Sequence, residues 1–272
     1  MNKKMVLIAG VCVGIAVVIA AVLLLRSRVP VRSIGPGRAT ASQVLAEARK
    51  LEAEGNLPGA KSRYQSLISD FPNSRDVLDW QKRIEDINIR LLFSAAITPK
   101  SIAYQVKAGD SLTKIAREHK TTVELLMKAN NLKNENIFPG QTLKVWTASF
   151  SIVVDKSQNT LILKSEEEIL KTYIVSTGLN NSTPVGTFFI TEKIPNPPWY
   201  KPGGGMVPAG SPQNILGTRW MGLNKEGYGI HGTTEPQSLG KQATAGCIRM
   251  SNNEVEQLYS IVPQGTEVTI VD

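Results

Sequence analysis

The chain has 272 residues, 42% of them hydrophobic, a formal charge of +8, and only two cysteines and two histidines. So few thiols exclude a disulfide framework, and no His/Cys/Asp/Glu cluster has ligand spacing, so neither metal nor other cofactor is expected. The charge divides as +6 over residues 1–40, +4 over 41–148 and −2 over 149–272. The basic excess is thus terminal and linker-borne, which suits anionic lipid headgroups and excludes a nucleic-acid partner, because no compact domain interleaves basic with aromatic residues.

Met5 to Leu25 carry no charged side chain. As a helix they would be about 32 Å long, the thickness of a bilayer core. A signal-peptide apolar region is shorter, so residues 1–28 are predicted to be an uncleaved anchor meeting the membrane through 5–25. Cys12 is then a buried structural residue. Lys3 and Lys4 precede the span, while Arg26, Arg28, Arg32 and Arg38 follow it. Counted literally, that would keep the body in the cytoplasm. Residues 29–40, with Pro30, Gly35, Pro36 and Gly37, form a linker.

Residues 41–95 take a helical period. Leu45, Ala48 and Leu51 mark one helix, and Ala60, Tyr64, Leu67, Ile68 and Phe71 a second. A third, capped by Ser74, carries Val77, Leu78, Ile84, Ile87 and Leu91. The turn Gly55-Asn56-Leu57-Pro58 with Tyr64 and Phe71-Pro72 resembles a single tetratricopeptide repeat. Such units need neighbours to bury their faces. A helical spacer or dimerisation hairpin is therefore expected first, and a protein partner second.

Residues 102–146 read as self-contained: a strand at Tyr104-Gln105-Val106, a helix with Leu112, Ile115 and Ala116 capped by Asp110 or Ser111, a second helix from Thr121-Thr122 with Val123, Leu126 and Ala129, and a closing strand. His119 ends the first helix and faces solvent rather than a ligand. Val106-x-x-Gly109-Asp110-Ser111-Leu112, Asn130-x-Leu132 and Pro139-Gly140-Gln141 closely resemble a LysM module. The resemblance implies a βααβ fold and binding of N-acetylglucosamine-containing glycan strands.

From residue 149 the pattern is β-rich. Phe150–Val154 and Thr160–Leu163 flank a turn, and Ile169–Ser176, Gly186–Ile194 and Glu267–Val271 are further strands, with one helix at Asn253–Ile261. Pro195 to Gly217 holds six prolines and five glycines. A structureless loop of that length suggests a lid with Trp199, Tyr200 and Met206 on its underside. Cys247 has no disulfide partner, and His231 lies sixteen residues before it. A thiol attacks as thiolate, so an imidazole in reach makes it a nucleophile. The Gly232 carbonyl is a candidate to orient that imidazole. Gly246 lets the chain turn sharply and bring N–H groups to an oxyanion, while Arg249 shares a face with Cys247 if the segment is extended. From these residues alone, an inert buried cysteine stays open as an alternative.

His231-Gly232-Thr233 together with Thr244-x-Gly246-Cys247-Ile248-Arg249-Met250 resembles the catalytic motif of the YkuD-type L,D-transpeptidases. Thr183–Phe188, Pro197-Pro198-Trp199 and Leu216-Gly217-Thr218-Arg219-Trp220-Met221 support it. The resemblance covers 149–272 and implies a mainly-β catalytic domain. Cys247 would be nucleophile and His231 the base oriented by Gly232. Gly246, Arg249 and Thr244 would lie at the oxyanion and substrate, with Trp199, Tyr200, Arg219 and Trp220 as lid candidates. Ala245 stands where many members have histidine, a departure touching a secondary substrate contact. The implied reaction joins peptidoglycan stem peptides into 3→3 cross-links with release of D-alanine; water as acceptor would give carboxypeptidase activity. The fold expected is multidomain: transmembrane helix, all-α hairpin, LysM module and mainly-β catalytic domain. Since the substrates lie outside the inner membrane, so should residues 26–272. A wall anchor with an inert β domain and a general thiol hydrolase are the competing readings.

Overall fold

A computed structural model describes residues 39–272; the anchor expected over 1–28 and nearly all of the linker lie outside them. Among the described residues no helix is long and apolar enough to cross a membrane. They fall into two compact units, divided between Ile87 and Asn88.

In the first unit, α1 (Ala41–Ala53) and α2 (Leu57–Asp70) pack on one another. Thr40 caps α1 in a capping box with Gln43. Asn56 caps α2, with Pro58 in its first turn. The buried stripe is Val44, Ala48, Ala60, Tyr64 and Leu67, so α1 turns Val44 inward and leaves Leu45 and Leu51 half-buried. Helix α3 (Val77–Leu92) buries Trp80, Ile84 and Ile87 at helical spacing. Leu78, expected inside, is 81% exposed, because two residues before Trp80 it falls on the opposite side of the helix. Ser74 accepts from Asp76 N–H ahead of α3.

The second unit starts inside α3. Strand β1 (Ser101–Gln105) pairs antiparallel with β2 (Thr142–Trp146), and helices α4 (Leu112–Glu118) and α5 (Val123–Ala129) lie between them in the chain. This is the expected βααβ order. Ser111, not Asp110, caps α4, and Thr122 caps α5. Asp110 instead gathers Tyr104 Oη–H, Lys107 N–H and Lys114 Nζ, which hold its carboxyl down at about 2. His119 ends α4 with its ring edge-on to Tyr104.

The module has its own core of Val106, Leu112, Ile115, Leu126, Leu143 and Val145, yet it is less self-contained than its sequence suggests. Leu125 and Trp146 belong to the larger core that continues through Ile89, Leu92, Phe150 and Tyr259. Buried Lys144 donates to Leu91 O and Ser94 O, and desolvation lowers its pKa to about 8.

That larger core lines a mixed eight-stranded sheet. Its strands are β3 (Phe150–Asp155), β4 (Thr160–Ser165), β5 (Glu168–Ile174), β7 (Gly186–Pro195), β10 (Arg219–Leu223), β11 (Gly229–His231), β13 (Ile248–Arg249) and β14 (Glu267–Val271). Their order is β13-β11-β10-β7-β14-β3-β4-β5, with β14–β3 and β11–β13 parallel and the other neighbours antiparallel. Helix α6 (Asn252–Ile261) buries Val255, Leu258 and Ile261 in the core. Two short strands, β6 (Thr177–Gly178) and β12 (Gln242–Thr244), pair beside β13. Pro195 to Gly217 is not structureless: β8 (Trp199–Tyr200) and β9 (Met206–Val207) form a hairpin turning through Gly203-Gly204-Gly205, all at positive φ.

Candidate active site

Strand register assembles the site. Ile194 of β7 faces Trp220 of β10, Trp220 faces His231 of β11, and His231 faces Arg249 of β13. These four form one cross-strand row on one sheet face. The next row runs Glu192, Gly222, Gly229. Cys247, just before the Ile248 that pairs with Ile230, stands level with Gly229. Two glycines in that row leave room for the Trp220 indole. A Cβ on Gly229 would lie 2.7 Å from the ring, and one on Gly222 3.0 Å from Nε1. The indole stacks on the His231 imidazole at 5.9 Å between centroids and donates Nε1–H to Glu192 at 2.9 Å.

His231 is 3% exposed, and its Nδ1 lies 2.7 Å from the Gly232 carbonyl oxygen. A carbonyl only accepts, so Nδ1 carries the proton and Nε2 keeps its lone pair. Burial, with a smaller push from the Arg249 charge, lowers the imidazole pKa to about 4 against the pull of the Gly232 bond. Cys247 is half-buried, its Sγ 3.4 Å from Gly227 O. Burial pushes the thiol up, while a backbone bond at Gly229 and the Arg249 charge pull it down. The resting pair is therefore neutral thiol and neutral imidazole at neutral pH.

The turn that carries Cys247 is tied internally. Thr244 Oγ1 accepts from Gly246 N–H at 3.1 Å and donates to Cys247 O at 2.7 Å. Gly246 sits at φ +142°, and a Cβ there would come 2.7 Å from Tyr228 Cε1. Thr183 Oγ1 donates to Gly246 O and accepts from Gly178 N–H. The Gly246 amide, expected at the oxyanion, is thus spent inside the turn. Arg249 is buried, with Nη1 on Glu235 at 2.8 Å and Ser238 Oγ at 3.1 Å. With Nη1 engaged there and Nε buried without a hydrogen-bond partner, the guanidinium brings positive potential to the cavity it lines.

Cys247, His231, Arg249, Thr244, Trp220, Trp199 and Tyr200 all line one cavity of about 700 Å³, to which Ala245 also contributes. Strand β8 and Pro202 in the turn after it contribute to one wall, with Tyr200 73% exposed. Arg219 is not there. Neighbouring strand residues point to opposite faces, so Trp220 in the cavity sends Arg219 toward α6, over Tyr259 and 3.9 Å from Glu256. Glu192, Glu235 and Asn252 belong to the arrangement without a sequence motif to flag them. Only pairing across strands or loops brings them in.

Residues 149–270 match the family described as the L,D-transpeptidase catalytic domain (YkuD), and residues 104–146 match the LysM domain. YkuD of Bacillus subtilis, whose name assigns it as an L,D-transpeptidase, is 36% identical over 176 residues, 62% of this chain and 98% of that protein. YqjB of the same organism, similarly named, is 40% identical over 127 residues, 44% of this chain and 70% of that one. Among solved structures, an L,D-transpeptidase from Mycobacterium smegmatis matches at 20% identity with a TM-score of 0.40, over 49% of this chain and 64% of that one.

Proposed function

The chain belongs to the YkuD L,D-transpeptidase family, and on that premise we propose that it transfers acyl groups between peptidoglycan stem peptides through Cys247. The observation that carries this reading is His231, with Nδ1–H fixed on the Gly232 carbonyl, lining the same cavity as the Cys247 thiol. Nε2 takes the thiol proton as Sγ attacks the carbonyl at the L-centre of the donor's third residue. The tetrahedral oxyanion forms beside the Cys247 N–H, since the Gly246 amide is engaged by Thr244. Collapse expels D-alanine, which leaves with the proton from Nε2, and a thioester remains. An amine from a second stem attacks the thioester and gives a 3→3 cross-link; water in its place gives carboxypeptidase activity. Arg249 supports both charge-developing steps by its field, and the β8–β9 hairpin screens the thioester from water.

The LysM module holds glycan strands near the catalytic body, which places the protein in the cell envelope. Residues 5–25 anchor it in the membrane and residues 26–272 lie outside. A protease-protection assay on intact cells checks that topology, a protected body overturning it. For the reaction, the purified chain is incubated with tetrapeptide muropeptides and followed by mass spectrometry. D-Alanine release with an acyl adduct on Cys247, both lost in Cys247→Ala, is expected. Turnover that survives the substitution rules the mechanism out.

A further inference from the structure

The base is only as well aimed as the carbonyl that holds it, and one side chain beyond the cavity holds that carbonyl. Asn252, the first residue of α6, accepts through Oδ1 from Thr218 N–H at 3.2 Å and from Thr233 N–H at 3.1 Å. The two amides belong to separate segments, one entering β10 and one leaving β11. Each segment is bare where the carboxamide enters. A Cβ on Gly217 or on Gly232 would lie 2.2 Å from Asn252 Oδ1, and Gly217 also needs its φ of +64°. No side chain fits at either point.

Thr233 N–H and Gly232 C=O are the two ends of one peptide unit. That unit is planar and trans, so fixing the N–H fixes the C=O pointing the opposite way. The same C=O accepts from His231 Nδ1–H at 2.7 Å. A continuous line of hydrogen bonds therefore runs from Asn252 Oδ1 through this peptide to the imidazole. Accepting the amide proton also polarises the carbonyl, which strengthens its hold on Nδ1–H.

We propose that Asn252 is a positioning residue for the base: through the Gly232–Thr233 peptide it sets the tautomer and orientation of His231. This deepens the transpeptidase reading and rests on it for the activity readout. The tautomer readout does not depend on that reading.

The test compares Asn252→Ala and Asn252→Asp in the full chain. Nitrogen NMR of His231 reports which ring nitrogen carries the proton, and steady-state kinetics on tetrapeptide muropeptides report turnover. Asn252→Ala is expected to lose the single Nδ1–H tautomer and to lower kcat roughly 10–100-fold with little change in KM, the size of loss known for removing the hydrogen-bond partner of a metal-bound histidine. Asn252→Asp keeps an acceptor oxygen, so the tautomer and most of kcat should return. Its added negative charge should move the His231 titration to higher pH. A folded Asn252→Ala protein with an unchanged tautomer overturns the proposal whatever its activity. If the alanine variant does not fold, the aspartate variant decides: an upward shift in the His231 titration supports the proposal, and an unmoved one refutes it. An altered tautomer in a chain that proves inactive on muropeptides would instead count against the transpeptidase reading alone.

Discussion

At His231 one proton location has consequences for both catalysis and stability. With Nδ1–H on Gly232, burial holds the imidazole near pH 4, while a histidine in the unfolded chain titrates at about 6.5. Between those values the unfolded chain binds the extra proton, so stability rises with pH there. The contribution is complete above about pH 6.5 and is lost as pH falls toward 4, on the order of 3 kcal/mol in all. Denaturant titration of wild type and His231→Gln across this range checks it; identical pH slopes would contradict it. The Cys247 thiol is shifted upward, so alkylation by iodoacetamide should keep accelerating past the ordinary thiol range, and a plateau near neutrality would show an ion pair instead. Gly246 carries a backbone demand as well as a steric one. Gly246→Ala at φ +142°, against Tyr228, should cost about 1–3 kcal/mol and lower Tm; an unchanged Tm would refute the strain.

At the level of elements, three short strands do most of the assembly. β10, β11 and β13 are two to five residues long, yet their register lines up Trp220, His231 and Arg249 in one row. The spacing under the indole is as specific as the row itself. Gly229→Ala should push Trp220 off the imidazole and cost about 1–3 kcal/mol, with turnover falling more than substrate affinity. Kinetics of the folded variant check this, and a wild-type kcat would show that the stack does not matter. Strands β3, β4, β7 and β14 were legible from sequence because each is a run of five to ten residues rich in β-branched, aromatic and aliphatic side chains. Strands as short as β13 carry no period to read. The β8–β9 hairpin escaped for the same reason, inside a stretch dominated by proline and glycine.

For residues 88–272 as a whole, the LysM module and the eight-stranded sheet share one interior. Leu125 lies in the same core as Tyr259, and Thr122, which caps α5, also donates to Ser260 O. Lys128 adds a bond to Ser260 Oγ and lies over the Phe93 ring. Calorimetry should therefore show the two melting in a single transition. Leu125→Ala should destabilise both together by about 2–5 kcal/mol, and separate transitions would disprove the shared core. On the proposed function, a module fixed on the sheet should also constrain the substrates it can serve. A Gly-Ser insertion after Thr147 should reduce turnover on intact sacculi while sparing soluble muropeptides, and equal losses on both would deny any such coupling.

Cys247 began as a thiol with no partner, and its link to His231, Gly232 and Arg249 was readable because family motifs are local runs with a fixed separation. The sequence likewise determined the LysM pattern, the longer strands and the terminal bias of its charge, all of which are properties of composition or short-range period. It did not determine which face a residue of the five-residue strand β10 takes, so Arg219 could not be told from Trp220. Nor did it show that Gly246 N–H is consumed by Thr244, or that Asn252 holds the peptide behind the base. Those depend on hydrogen bonds from backbone amides, which nearly every residue carries alike, to side chains that come from elsewhere in the turn or the chain. Only the tertiary fold decides where they point.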